Sequence, residues 1–520
     1  MSSMRRDKNE IISEVVNSYV EKKFDMSESE KPRIAIITLI QEGVVKVGGE
    51  HAMLFPYVEQ IIKTAESVAD KIDIIPYVIS PRPKKQESLA RVDELIEKMK
   101  QTNDGQMILV SNGAAGPYAN PWNWEKYGHE ANKVIIKIAK ERKVSGIIVM
   151  AHGFSSIPAV LNMTASQDNG SFNKIPIKSY FITHSSYDEH KDNRAQRRIL
   201  EKEVQNHANM IAISPYMSKH LEEIGLVKSS EDTVPLYNAL PDKGWFSNKV
   251  PKNVIIEMLE ERNEKVGLGP FYGSKLPLNE IVSGKKELVL YFGRAQKYVK
   301  GTDAVIACAN NDSKRHYMLI CSGSNSELDW HKKLIAKSNN ITLAWEHNSK
   351  LVLGTVQLTE NNPDARINAL FLSRREPMGL VSREVVLMQE NGSVLPIVSD
   401  QCGFDDQWQK KYSFIVANPS SCEDDPIKRK TNSQLAKNTE IFIHDDCIKA
   451  TLKALDELSK LPVSELKTRV QQYKEAIKEN YSQNSYWSFY LQAIGKTKPE
   501  FEKYIDEKLK KNNLTTILNV

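Results

Sequence analysis

The run Arg33–Ile40, R-I-A-I-I-T-L-I, is apolar at nearly every position. A strand with one wet face alternates apolar and polar residues. This one does not, so it belongs in a parallel sheet covered on both faces by helices. Similar runs recur at Ile72–Ile79, Gln106–Val110, Gly146–Ala151, Lys178–Thr183 and Asn209–Ser214. Helical stretches separate them at Ala52–Ala69, Glu87–Lys100, Glu130–Arg142 and Tyr216–Ile224. Asn112–Trp124, rich in Gly, Asn, Pro and Trp, reads as a loop. Strand–helix alternation of this kind builds a nucleotide-type α/β domain. It stops near residue 241, where Pro, Gly and Lys accumulate, and restarts at Leu288–Phe292. From there it continues through Tyr317–Ser322, Ile341–Ala344, Ala369–Leu372 and Val394–Val398.

The expected architecture is therefore α/β, with two Rossmann-like domains facing a central cleft. A polar extension covers 1–31, a first domain 32–240, a hinge 241–284 and a second domain 285–480. Terminal helices are expected over 481–520. At 520 residues the chain exceeds what one core usually organises. With 40% hydrophobic and 26% charged residues it has the make-up of a soluble protein. A net charge of +5 permits an anionic substrate or peripheral membrane contact, and gives no reason to expect nucleic acid. No apolar run reaches the roughly 20 residues of a membrane span. The five cysteines are widely spaced without a C-x-x-C pair, so neither a disulfide framework nor a zinc site is expected, and a cytoplasmic setting is.

Candidate site residues follow from where strands end, because ligands of open α/β sheets bind beyond the carboxyl ends. His152 and His184 each follow such a run, with Tyr187, Asp188 and His190 close behind. Arg294 and Lys300 follow Leu288–Phe292, where two cations could hold a diphosphate. Beyond Ala369–Leu372 comes R-R-E-P-M-G-L-V-S-R-E. Pro377 suits the first helical position, and Gly379 and Leu380 then fall in a first turn whose free N–H groups suit an anion. Glu376 precedes this turn and Glu384 lies eight residues on. Such an arrangement suits a sugar nucleotide: diphosphate on the helix mouth, hexose on one carboxylate, ribose on the other. Eight helical residues rise about 12 Å, too far for a hydrolytic pair at roughly 5–9.5 Å. Neither G-x-G-x-x-G nor G-x-x-x-x-G-K-[ST] is present.

These residues resemble the E-x(7)-E signature of retaining glycosyltransferases of the GT-B fold, as in glycosyltransferase family 4, with Met378 where an aromatic is usual. Gly293-Arg294 and Lys300-Gly301 resemble that family's G-R-x-x-x-x-x-K-G run. Gly48-Gly49 resembles its first glycine loop, and the two histidine-ended strands resemble its paired strands. Ala239 stands where the family has glycine. The resemblance implies transfer of a hexose from a UDP- or GDP-type nucleotide-diphosphate sugar, with retained anomeric configuration. His184, Arg294, Lys300 and Glu376 would take part in the transfer. Gly48, Gly49, Gly379, Leu380 and Glu384 would bind the donor. His152, Tyr187, Asp188 and His190 would lie nearer the acceptor, which stays open among glycan, lipid, small molecule and protein. No D-x-D triad occurs, so no metal is expected. A sugar-nucleotide epimerase, a phosphorylase, a non-catalytic binder and a protein-modifying transferase remain as alternatives.

Overall fold

The structure, a computed structural model, describes residues 31–40, 50–81, 93, 96–110, 121–189, 194–238, 240, 245–296, 299–346, 348–374, 376–400, 402–404, 407–419, 443, 445–481 and 484–514. Gly48, Gly49, His190, most of the stretch 87–95 and the stretch 420–433 lie outside them.

Fourteen strands form two sheets among the described residues. The first contains β1 (Arg33–Ile40), β2 (Asp73–Pro81), β3 (Gln106–Val110), β4 (Gly146–His152), β5 (Ile177–Thr183), β6 (Asn209–Ala212) and β7 (Val234–Pro235). The second contains β8 (Phe271–Gly273), β9 (Glu287–Arg294), β10 (Arg315–Ser322), β11 (Ile341–Trp345), β12 (Ile367–Phe371), β13 (Pro396–Ser399) and β14 (Phe414–Val416). Every pairing is parallel except that of β8 with β11.

The strand orders are 3-2-1-4-5-6-7 and 14-13-12-9-10-11-8. In the first sheet the chain starts centrally at β1, runs to the β3 edge, returns and runs to the other; in the second, after the edge strand β8, it does the same from β9. That reversal leaves a crevice beyond the carboxyl ends of the paired strands β1 and β4, and another beyond β9 and β12, where the outgoing loops diverge. Ligands of doubly wound sheets bind at such points.

Burial follows the two-faced reading of β1. Ile34 and Ile36 join a core that also holds Tyr57, Tyr180, Phe489 and Ile494. Their neighbours Ala35 and Ile37 point into a second core with Trp124, Tyr127 and Ile135. Successive strand residues face opposite sides, so both faces must be covered.

The stretch expected as a loop over 112–124 ends in helix instead. A helix spans Pro121–Glu141 and buries Trp124, Tyr127, Ala131, Ile135 and Ile138. Proline is tolerated in a first helical turn because the N–H it lacks would be unpaired there anyway. Gly128 lets this helix press on the next one: a β-carbon there would lie 2.7 Å from the Pro158 carbonyl carbon.

The stretch 241–284 carries structure of its own. The strand β8 pairs with β11 at the edge of the second sheet, and the helix Lys252–Glu264 packs against the helix Ser349–Asn361. At the far end the chain returns. Leu240 N–H donates to Tyr481 O at 3.1 Å. The helix Asn484–Thr497 then packs on the first domain, with Tyr486 Oη donating to Tyr57 Oη at 2.8 Å and Phe489 edge-on to Tyr180.

Candidate functional site at the strand ends

The carboxyl ends of the two sheets face each other. Ser214, just past β6, donates its hydroxyl proton to the carbonyl of Pro377, beyond β12. Those residues singled out from the sequence that the structure describes lie at or beyond the carboxyl ends of β4, β5, β9 and β12.

On the first domain, His152 ends β4 and His184 directly follows its neighbour β5. The His152 Nδ1 and His184 Nε2 atoms are 3.1 Å apart, and both side chains are buried. The Tyr57 ring meets the His152 ring edge-on at 4.4 Å. His152 Nε2 is buried with no hydrogen-bond partner among the described residues. A buried N–H without an acceptor is costly and rare, whereas an unmet lone pair is tolerated more readily. The favoured tautomer therefore has His152 donating from Nδ1 to His184 Nε2, which leaves the His184 proton on Nδ1. Burial, and then the neighbouring His184, hold the His152 pKa well below the usual imidazole value, so His152 stays neutral.

Tyr187 and Asp188, which the resemblance puts nearer the acceptor, are turned inward. Asp188 Oδ1 accepts from Ser186 Oγ at 2.6 Å and lies 3.1 Å from His220 Nε2. Tyr187 N–H donates to Glu201 Oε2 at 3.0 Å, and its hydroxyl donates to Ile224 O at 3.4 Å. Both residues brace the loop after His184. Ser186, Asp188 and His220 do not form a nucleophilic triad, because Ser186 and Asp188 meet the same ring nitrogen rather than opposite ones.

On the second domain, β9 ends at Arg294, whose side chain is exposed. Lys300 Nζ donates to the carboxylate of Glu376. Two further contacts bind their loops together. Arg374 N–H donates to Val299 O at 2.9 Å, and the Arg374 guanidinium grips Asp303 with two bonds of 2.8 and 2.6 Å. Gly301 makes the close approach possible. Its backbone is left-handed, and a β-carbon there would lie 1.7 Å from Leu372 O. The loops leaving β9 and β12 are thus one unit at the point where the second sheet reverses.

The helix beyond Glu376 starts later than the sequence suggests. It spans Leu380–Leu387, with Gly379 left-handed at its N-cap, so Pro377 lies in the preceding loop and not in the first turn. A β-carbon on Gly379 would lie 2.0 Å from the Phe404 ring, which forces the tight entry. The unpaired N–H groups of the helix mouth still follow Glu376 directly. Glu384 sits half-buried in the fifth position of the helix. Arg383, which the sequence did not single out, is buried beside it. Its guanidinium donates to Met378 O at 2.6 Å, Gly379 O at 3.1 Å and Tyr481 Oη at 3.0 Å. Ser214 was also missed, although Ser-Pro at a helix start is a capping signal. Arg383 has no such local signal.

Among the described residues, no three His, Cys, Asp or Glu side chains gather as a metal site, and no helix is long and apolar enough to cross a membrane.

No protein-family model matches this chain, and no curated protein matches it in sequence. Solved structures do match in three dimensions. A glycosyltransferase from Rickettsia africae ESF-5 superposes with a TM-score of 0.54 at 15% identity, covering 90% of this chain and 99% of that one. Anabaena HepE, solved with UDP and glucose, gives 0.51 at 13%, covering 89% and 99%. The catalytic domain of starch synthase IV from Arabidopsis thaliana, bound to ADP and acarbose, gives 0.51 at 11%, covering 90% and 99%. At such identities the likeness shows the fold, and the fold is GT-B: two Rossmann-like domains with facing carboxyl ends.

Proposed function

We propose that this chain is a retaining glycosyltransferase that moves a hexose from a nucleotide-diphosphate sugar to an acceptor. The observation that carries the reading is the Lys300–Glu376 pair, set before the mouth of the helix Leu380–Leu387 where the second sheet reverses. A cation, a carboxylate and a row of free N–H groups at that point match the parts of a sugar nucleotide. The diphosphate lies on the helix mouth, where the N–H groups and helix dipole favour negative charge. Lys300 and Arg294 hold its oxygens. Glu376 accepts from hexose hydroxyls, and Glu384 from the ribose.

In the reaction the bond from the anomeric carbon to the diphosphate breaks, and a bond to the acceptor oxygen forms. The acceptor proton leaves with the nucleoside diphosphate. Charge grows on the diphosphate as the bond breaks, so Lys300, Arg294 and the helix mouth bind the transition state more tightly than the ground state. His184 lies near the transferred sugar, as the resemblance implies. The UDP and ADP found in the Anabaena and Arabidopsis structures support a nucleoside diphosphate as leaving group. Cys308, Cys321, Cys402 and Cys447 are free, buried thiols, which suits the cytoplasm.

The test is incubation with UDP-, GDP- and ADP-sugars, following nucleoside diphosphate release with and without cell extract as acceptor source. Release from one donor class supports the proposal, and the anomeric proton coupling of the product tests retention. Absence of release from every donor would overturn it.

A further inference from the structure

We infer that Ser214, a residue of the first domain, is a positioning residue for Glu376 in the second. The inference rests on the reading of Glu376 as the carboxylate that orients the sugar.

Ser214 is the N-cap of the helix Pro215–Glu223, and its Oγ accepts from Met217 N–H at 3.0 Å. A hydroxyl has one proton to give and two lone pairs. Ser214 therefore caps its own helix and, with the same oxygen, donates to Pro377 O across the domain boundary. The side chain is buried.

Four successive carbonyls separate Glu376 from the helix mouth, and each has a donor. Glu376 O accepts from Gly403 N–H at 2.5 Å. Met378 O accepts from Arg383 at 2.6 Å. Gly379 O accepts from Arg383 at 3.1 Å and from Ser382 Oγ at 3.0 Å. These donors all belong to the second domain. The remaining carbonyl, that of Pro377, takes its bond from the first. The peptide plane that sets the turn from Glu376 to Gly379 is thus oriented only while the domains are together.

The first-domain side of this contact is braced. His220, on the helix that Ser214 caps, lies 3.1 Å from both Ser186 Oγ and Asp188 Oδ1. Those residues follow His184 by two and four positions. Ser214 and His184 are therefore parts of one braced unit, and the bond to Pro377 aligns His184 with Glu376. Domain closure is read at the carboxylate, so losing the bond lowers the rate of transfer and leaves donor binding in place.

Three variants separate this role from simple capping. Ser214→Thr keeps both bonds. Ser214→Asp keeps the cap but has no proton to donate at neutral pH and sets negative charge against the carbonyl. Ser214→Ala loses both. The measurements are the single-turnover rate of nucleotide release, the donor Kd by calorimetry, the melting temperature and the radius of gyration by X-ray scattering. For Ser214→Asp the expected result is a rate about tenfold lower, a larger radius of gyration, and Kd and melting temperature close to wild type. Ser214→Thr should match wild type throughout, and Ser214→Ala should combine the rate loss with a lower melting temperature. A Ser214→Asp variant with wild-type rate and radius would overturn the inference. So would one whose Kd and melting temperature collapse together with its rate. If the wild type releases nucleotide from no donor, the functional reading fails separately, and the radius comparison alone decides whether Ser214 holds the domains together.

Discussion

His152 Nδ1 and His184 Nε2 lie 3.1 Å apart, joining the carboxyl ends of two neighbouring parallel strands. On the proposed function, His152 would act only through this contact, by fixing which nitrogen of His184 carries the proton. Asparagine places an amide near the position of Nδ1 and can still donate, whereas phenylalanine cannot. His152→Phe is expected to lower turnover about tenfold with little change in donor affinity, and His152→Asn to recover most of that loss. Single-turnover kinetics and calorimetry on both variants check this. Equal rates for the two would remove the tautomer argument.

Stability should fall in mild acid. Burial lowers His152 well below its ordinary pKa, and lowers His316 to about 4. The unfolded chain takes up these protons near pH 6.5 while the folded chain refuses them. Their contribution is therefore whole above about pH 6.5 and is lost as pH falls from there toward the folded values. Each histidine should cost about 1.4 kcal/mol per pH unit within that window. Urea unfolding at pH 7 and pH 5 measures the slope, and His316→Asn should make it shallower.

Lys300 and Glu376 should behave as a coupled pair. Lys300→Met is expected to reduce turnover on the order of 100-fold, because it removes a cation from the growing diphosphate charge and leaves Glu376 unpaired. Glu376→Gln should mainly reduce turnover. The double variant should lose less than the product of the single losses, since the second change removes a carboxylate already out of place. A double-mutant cycle in kcat/KM gives the coupling directly, and strict additivity would mean that the pair has no joint role.

Asp303 is a stability prediction. The Arg374 and Asp303 side chains are each 3% exposed. Asp303→Ala leaves a guanidinium buried without its carboxylate, which should destabilise the second domain by about 3–5 kcal/mol. Asp303→Asn, which keeps an acceptor, should cost less. Thermal melts of both variants provide the check.

The fold was legible wherever burial wrote itself into composition. β1, β4, β9 and β12 are apolar runs of a kind that only a covered parallel sheet accommodates. β8, by contrast, is Phe-Tyr-Gly, three residues on an antiparallel edge, too short to carry a period. The Pro121–Glu141 helix was half hidden because its first turn is written in Pro, Trp and Asn.

The site divides in the same way. Arg294, Lys300 and Glu376 stand out because local spacing places them past strand ends. Ser214 and Arg383 do not, since their partners Pro377 and Tyr481 lie 163 and 98 residues away. The inward turn of Tyr187 and Asp188 was not legible for that reason too. Glu201 and His220, 14 and 32 residues on, draw them inward. Local sequence reports where a residue leaves the sheet, and distant sequence decides which way it then turns.

Among the described residues the polypeptide passes between the two halves at two places, which touch where Leu240 N–H meets Tyr481 O. A body tethered by one cord can swing and spin. Two cords fastened side by side suppress the spin and leave one swing, about the line through both fastenings. Any parting of the halves is thereby confined to an opening like that of a book's covers, along a spine where the Arg383 guanidinium lies 4.3 Å from the Tyr481 ring. Ending the chain at residue 480 would cut one cord and strip Tyr486 and Phe489 from the first half. The covers would then twist as well as open, and residues facing each other across the gap would no longer meet in register.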